Sequence, residues 1–199
     1  MKPVVNAECW PIVPPLDGCD QARFAQAGLD VAALRLRRFA CGDEEVIAGW
    51  VRDETELLWL APSAEPPLTP AKVRDWPRAN GHALVLSTAT GGEPLGYGEL
   101  NPMRGTRDHH WLGHVVVKRE LRGCGLGRLF VEALVGWAYA QLGLVQLSLV
   151  VFPANKPAIS CYRRCGFRGV ADEFHHFPGG GKRYRLLRMS LTGLPGLPD

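Results

Sequence analysis

Six consecutive residues, Arg122-Gly123-Cys124-Gly125-Leu126-Gly127, have the types and spacing to hold an anion. Gly123, Gly125 and Gly127 can take positive φ and place no Cβ between the backbone and a bound group. Arg122 and Arg128 add positive charge beside them. What such a loop can do depends on its flanks. Upstream, Val115, Val116 and Val117 are three β-branched residues in a row and read as a strand buried on both faces. Downstream, Leu126, Leu129, Phe130, Ala133, Leu134 and Trp137 recur at helical spacing, and Gly143 supplies the stop. A glycine-rich turn from a strand into a helix aims unpaired N–H groups and the positive end of the helix dipole at one point. The chemistry this predicts is phosphate binding.

Two familiar phosphate loops are excluded by their own requirements. A P-loop ends in Gly-Lys-Ser/Thr, whereas Gly127 is followed by Arg128 and Leu129. A dinucleotide fingerprint needs G-x-G-x-x-G and an acidic residue ~20 positions on. Neither the glycine spacing nor Gly143-Leu144-Val145-Gln146 meets it. What stands is Arg-x-x-Gly-x-Gly behind a valine strand. A second pattern follows it: Leu144 to Val151 reads as the next strand, and then come Asn155, Ala158, Tyr162 and Gly166-Phe167.

With these two motifs in this order, the chain resembles the GNAT acyltransferase superfamily, clearly from about Leu95 to Phe167 and by extension from Leu34 to Leu191. The resemblance implies a mixed α/β fold: a twisted, mostly antiparallel sheet flanked by helices, with a splayed pair of parallel central strands near 110–117 and 144–151. It implies acetyl-CoA as co-substrate, its pyrophosphate at Arg122, Gly123, Cys124, Gly125, Leu126, Gly127 and Arg128. Its pantetheine would pair as an added strand with the backbone of Val115, Val116 and Val117, and Asn155 and Ala158 belong to the second coenzyme motif. Tyr162 falls where the family's tyrosine stands near the coenzyme sulfur and protonates the departing thiolate.

The implied reaction is transfer of an acetyl group to a primary amine, which must shed a proton. Glu99, His110 and His114 are the base candidates, Glu99 first and His110 second. The alternative is a coenzyme-A-binding regulatory or catalytically inactive protein. An unrelated nucleotide-binding module is the remaining rival, weakened by the mismatches above. The acceptor is open: small amines, aminoglycosides and protein amines are all accepted within the superfamily. Trp50, Trp59 and Trp76, in the segment before the motifs, could line its pocket or simply pack.

These residues need a scaffold. The 199 residues suffice for one domain with extensions. We read residues 1–30 as an N-terminal extension, 31–192 as the transferase domain and 193–199 as a tail. A strand is expected from Leu34 to Phe39, then a helix capped by Asp43 that carries Val46, Ile47, Trp50 and Val51. Thr69-Pro70 opens a short helix. His82–Ala89 and Leu95–Leu100 form a hairpin across Thr90–Pro94, His110–Val117 is the central strand, with His110, Leu112, His114 and Val116 on one face, and Tyr184–Leu191 is the last. Gly169 to Lys182 reads as a loop covering the acceptor end.

Composition narrows the class. Apolar residues at 46% and charged residues at 22% suit a globular protein, and a net charge of +3 without a basic run argues against nucleic acid. No stretch is long and apolar enough for a membrane span or secretory signal, and the six cysteines read as free thiols, so a cytoplasmic monomer or homodimer is expected. Cys161 and Cys165 lie one helical turn apart, yet no ligand pair at matching spacing completes a zinc site. Cys124 reads as an incidental small residue.

Overall fold

The structure is a computed structural model, describing residues 9–11, 18–77, 79–88, 92–177 and 182–193. Along them run β1 (Cys9–Pro11), α1 (Gly18–Gln26), β2 (Arg35–Arg38), α2 (Asp43–Ala48), α3 (Glu54–Leu60), α4 (Pro70–Arg74), β3 (His82–Ser87) and β4 (Pro94–Pro102). The second half holds β5 (His109–Val117), α5 (Leu126–Leu142), β6 (Gln146–Val151), α6 (Lys156–Arg164), β7 (Arg168–His176) and β8 (Arg183–Thr192). The strands form one sheet in the order β1-β2-β3-β4-β5-β6-β8-β7. Every neighbouring pair is antiparallel except β5 and β6. That parallel pair is short: the register runs His109–Gln146, His110–Leu147, Trp111–Ser148 and stops.

Two apolar layers cover the sheet. On one face α5 lays Phe130 and Leu134 over β4, with Leu100, Leu112 and Leu147 beneath. The helix can come this close because β4 carries glycine there. A Cβ at Gly98 would meet Leu134 Cδ1 at 2.9 Å, and one at Gly96 would meet Phe130 Cδ1 at 3.0 Å. On the other face Ile47, Trp50 and Val73 pack on Val85, Tyr97 and Val116. Among the described residues, no helix is long and apolar enough to cross a membrane.

Several sequence expectations change. The stretch read as an N-terminal extension contains α1, which sends Phe24 (1% exposed) into the core, and β1, which extends the sheet beside β2. Asp43 is not a cap but the first residue of α2, behind Gly42. Its carboxylate grips Arg37 at 2.7 and 2.8 Å, a pairing that spacing does not reveal. Trp50 lies past the end of α2, buried on its own account. Thr69 does cap α4, accepting from Lys72 N–H at 3.4 Å. The expected loop from Gly169 is strand β7 up to His176. It is an edge strand exposed along most of its length, so no apolar alternation marks it. Residues 89–91 of the expected hairpin turn and 194–199 of the tail lie outside the described residues.

Only Val116 of the three valines is buried, while Val115 and Val117 are half-exposed. The cause is the end of the parallel pairing at Trp111: beyond it, β5 is bonded to β4 on one edge alone. The expected shared face of His110, Leu112, His114 and Val116 is also broken. Between the pairs Tyr97–Val116 and Glu99–Gly113, Gly98 stands opposite both His114 and Val115. This β-bulge reverses the alternation. Leu112 therefore faces α5, and Val116 faces α2 and α4.

Candidate active site

The loop after β5 turns through a 3-10 segment (Arg119–Leu121) and enters α5 behind Gly125. Gly123 and Gly125 have φ of +84° and +103°. The first bond of the helix runs from Leu129 N–H to Gly125 C=O at 3.1 Å. The N–H groups of Leu126 and Gly127 precede it, in the first turn, where a helix offers no carbonyl to bond. A seventeen-residue helix thus points its positive end out of a two-glycine turn. Gly127 departs from the expectation of a positive φ. It lies inside α5, where a Cβ would meet Cys161 Sγ of α6 at 3.8 Å, an ordinary contact distance.

The two arginines are engaged with protein. Arg122 donates to Glu56 Oε1 at 2.8 Å, to Trp50 C=O at 3.1 Å and to Val117 C=O at 3.2 Å. It braces the loop against α3, a helix the sequence reading passed over although Asp53 caps it by accepting from Glu56 N–H at 2.8 Å. Arg128 pairs with Glu132 one turn along α5 at 2.8 Å. Cys124 donates its thiol to Leu121 C=O at 3.1 Å, which suits a packing role.

Beside the loop, β5 and β6 part after Trp111 and Ser148. This gap is where a pantetheine chain could add as a strand, since β5 there lacks a ladder partner on the β6 side. Asn155 caps α6, its Oδ1 accepting from Ala158 N–H at 3.3 Å. Both motif residues thereby set where α6 begins. One turn on, Tyr162 is half-buried, its ring edge-on to Phe167 at 5.9 Å. Burial, then the neighbouring Cys161 and Cys165, push its phenol well above the ordinary value.

The base candidates do not share a face. Tyr97, Glu99 and Asn101 alternate onto the face opposite α5, and His114 joins them through the bulge. Glu99 is 1% exposed, and its carboxylate accepts from Tyr97 Oη at 2.7 Å, Asn101 Nδ2 at 3.0 Å and His114 Nδ1 at 2.8 Å. Burial alone would raise its pKa, but the bonds from His114, Asn101 and Tyr97 outweigh it and hold the carboxyl below the usual range. The His114 ring lies flat on Trp76, centroids 4.4 Å apart and planes 6° off parallel. Trp50 is buried among Ile47 and Val73, and Trp59 is half-buried on α3.

His110 lies on the α5 face, opposite Pro102 and level with Leu100 and Leu112. It stacks 6.3 Å from His82, which meets Trp137 at 5.2 Å. Burial lowers the pKa of both imidazoles, helped at His82 by the charge of Arg38. A folded value below the unfolded one means the unfolded chain binds protons first on acidification. Stability is therefore expected to fall as pH drops below ~6.5, the ordinary imidazole value. The loss of melting temperature from pH 7.5 to 5.5 should be smaller in His110→Gln; equal losses would place the acid sensitivity elsewhere.

The family model for the acetyltransferase (GNAT) family matches residues 45–167. The chain belongs to this family. Among solved structures it is similar to a spermidine N-acetyltransferase from Vibrio cholerae, solved with CoA and spermine, at 19% identity and a TM-score of 0.66, covering 80% of this chain and 95% of that one. It is similar to a ribosomal-protein-S5-alanine acetyltransferase from Vibrio fischeri at 16% identity, TM-score 0.65, covering 85% and 98%. A GNAT-family acetyltransferase from Bacillus anthracis matches at 15% identity, TM-score 0.66, covering 80% and 94%. At such identities the likeness establishes the fold, and with it the expected mixed sheet and its splayed parallel pair.

Proposed function

We propose that this chain is an N-acetyltransferase that moves an acetyl group from acetyl-CoA to a primary amine. The observation that carries the reading is the parting of β5 from β6 beside the N-terminus of α5. An extended chain ending in a pyrophosphate matches both parts, one by strand addition and one by the positive end of the helix. Bound there, the coenzyme supplies a thioester, whose carbonyl carbon accepts a nucleophile.

The residues around the gap divide the work by face. Tyr162 packs against the layer containing α5, and to it we assign the proton given to sulfur. Glu99 and His114 lie on the face of α2 and α4, where an acceptor can approach from the other side. Trp76 and Trp111 border this face with aromatic surface, Trp111 beneath the Arg188 guanidinium at 5.6 Å. A neutral amine attacking from here meets the thioester between an acid and a base.

The test is calorimetry with acetyl-CoA, followed by release of free thiol over an amine library. The library should hold polyamines and alanine-ended peptides, since the Vibrio relatives are named for such acceptors. Binding with thiol release by at least one amine is expected. Binding with no release by any would favour the regulatory or inactive alternative, and no binding would remove the coenzyme assignment.

A further inference from the structure

The proton acceptor can be taken further, on the reading just given. Three carboxylates are buried among the described residues: Asp43, Glu44 and Glu99. Asp43 and Glu44 are each matched by a guanidinium, Arg37 at 2.7 Å and Arg74 at 2.7 Å. Glu99 is matched by an imidazole instead, in the gap-facing part of the sheet. A carboxylate only accepts hydrogen bonds, so the proton in the Glu99–His114 contact sits on Nδ1. When the ring is neutral, that leaves Nε2 bare. Glu99 itself, receiving three bonds at 1% exposure, has little room to receive an acceptor's proton directly.

The ring is held from three directions. Glu99 fixes one edge, Trp76 covers one face, and the bulge fixes the backbone. His114 has φ of +47°, the one positive value among described residues other than glycine. Such strain persists only where surrounding structure enforces it, and it turns this side chain onto the face of Glu99. The side chain nevertheless keeps 28% of its surface exposed. The titratable groups facing the ring are Glu99 and Tyr97 from β4. From the turn after α4 it meets the uncharged Trp76, and the Glu44–Arg74 pair joining α2 to α4 is closed on itself.

We infer that His114 is the catalytic base, and that Glu99 is a positioning residue that fixes its tautomer. As the amine nitrogen bonds to the acyl carbon, its proton passes to Nε2 of His114. The carbon–sulfur bond breaks and the sulfur takes the proton of Tyr162. Solvent then carries a proton from the imidazolium back to the tyrosinate, and both groups are restored. The carboxylate of Glu99 faces the imidazolium during the step and stabilises it.

Asparagine is the substitution that isolates this role. It tolerates left-handed backbone, and its amide can keep the bond to Glu99 while lacking a basic nitrogen. With acetyl-CoA and spermine or n-butylamine as probes, His114→Asn is expected to lose about 10²–10⁴-fold in kcat/KM and the ascending limb of its pH profile. Acetyl-CoA affinity and melting temperature should hold. Glu99→Gln should lose about tenfold in kcat/KM and keep that limb, because the group that takes the proton is still present. The reverse pattern, a limb lost in Glu99→Gln and kept in His114→Asn, would make Glu99 the base and overturn the inference. Nitrogen-15 spectra of the imidazole read the tautomer without turnover: Nδ1–H supports the assignment, and Nε2–H overturns it. A wild-type chain that binds acetyl-CoA but acetylates neither probe nor any library amine overturns the transferase reading itself, and the base with it.

Discussion

Tyr162→Phe is expected to lower kcat by about 10²-fold, the lower end of what a positioned general acid contributes. Phenylalanine keeps the ring against Phe167 and removes only the hydroxyl, so acetyl-CoA affinity and melting temperature should stay near wild type. The lower end is chosen for a reason visible in the surroundings. In water a thiol titrates near ~8.5 and a phenol near ~10, so the transfer to thiolate is mildly uphill. Burial and the thiols of Cys161 and Cys165 raise the phenol further, which makes it a weaker donor. The same burial penalises a thiolate leaving beside it, which recovers part of the driving force. The raised value has a second consequence: Tyr162 stays protonated throughout the neutral range and should add no descending limb to the pH profile. The measurement is single-turnover acetyl transfer, where chemistry and not product release sets the rate. A Tyr162→Phe protein with the wild-type single-turnover rate would leave sulfur to depart without it.

How much of this was legible beforehand depends on whether a feature is local. The strand, loop and helix from Val115 to Gly143 rest on short-range rules, and α5 ends at Leu142 with Gly143 in left-handed conformation as read. The cap at Thr69 and the helix start at Asn155 are local in the same way. The relation between Glu99 and His114 is not. They are fifteen residues apart, and their contact depends on a bulge that moves His114 across the sheet. A strict period of two instead grouped His114 with His110, which faces α5. The pairing of Arg122 with Glu56 spans sixty-six residues and was equally out of reach. Strand β7, being an exposed edge, has no burial pattern to betray it.

Gly125→Val is expected to abolish measurable acetyl-CoA binding while the chain stays folded. The glycine types of the loop offer two causes, a Cβ striking the bound pyrophosphate and the loss of a backbone angle that glycine takes easily, and the geometry favours the second. A Cβ at Gly125 would point at Phe24 Cζ of α1, 3.6 Å away and buried, which is an ordinary contact distance. The backbone is the obstacle: φ is +103°, outside what a β-branched residue accepts. Holding it there costs about 1–3 kcal/mol before the valine methyls press on Phe24. The loop relieves that strain by rotating, which turns the N–H groups at the start of α5 away from their common point. Gly125→Ala, with the same angle but no branch, should weaken binding less. Arg122→Ala leaves the glycine turn intact and loosens only the brace to Glu56 and Trp50, so about a tenfold loss of affinity is expected, ~1.4 kcal/mol. Calorimetry with acetyl-CoA ranks the three, and a thermal melt of each separates lost binding from lost fold. A folded Gly125→Val protein that binds acetyl-CoA as wild type does would move the pyrophosphate off this loop.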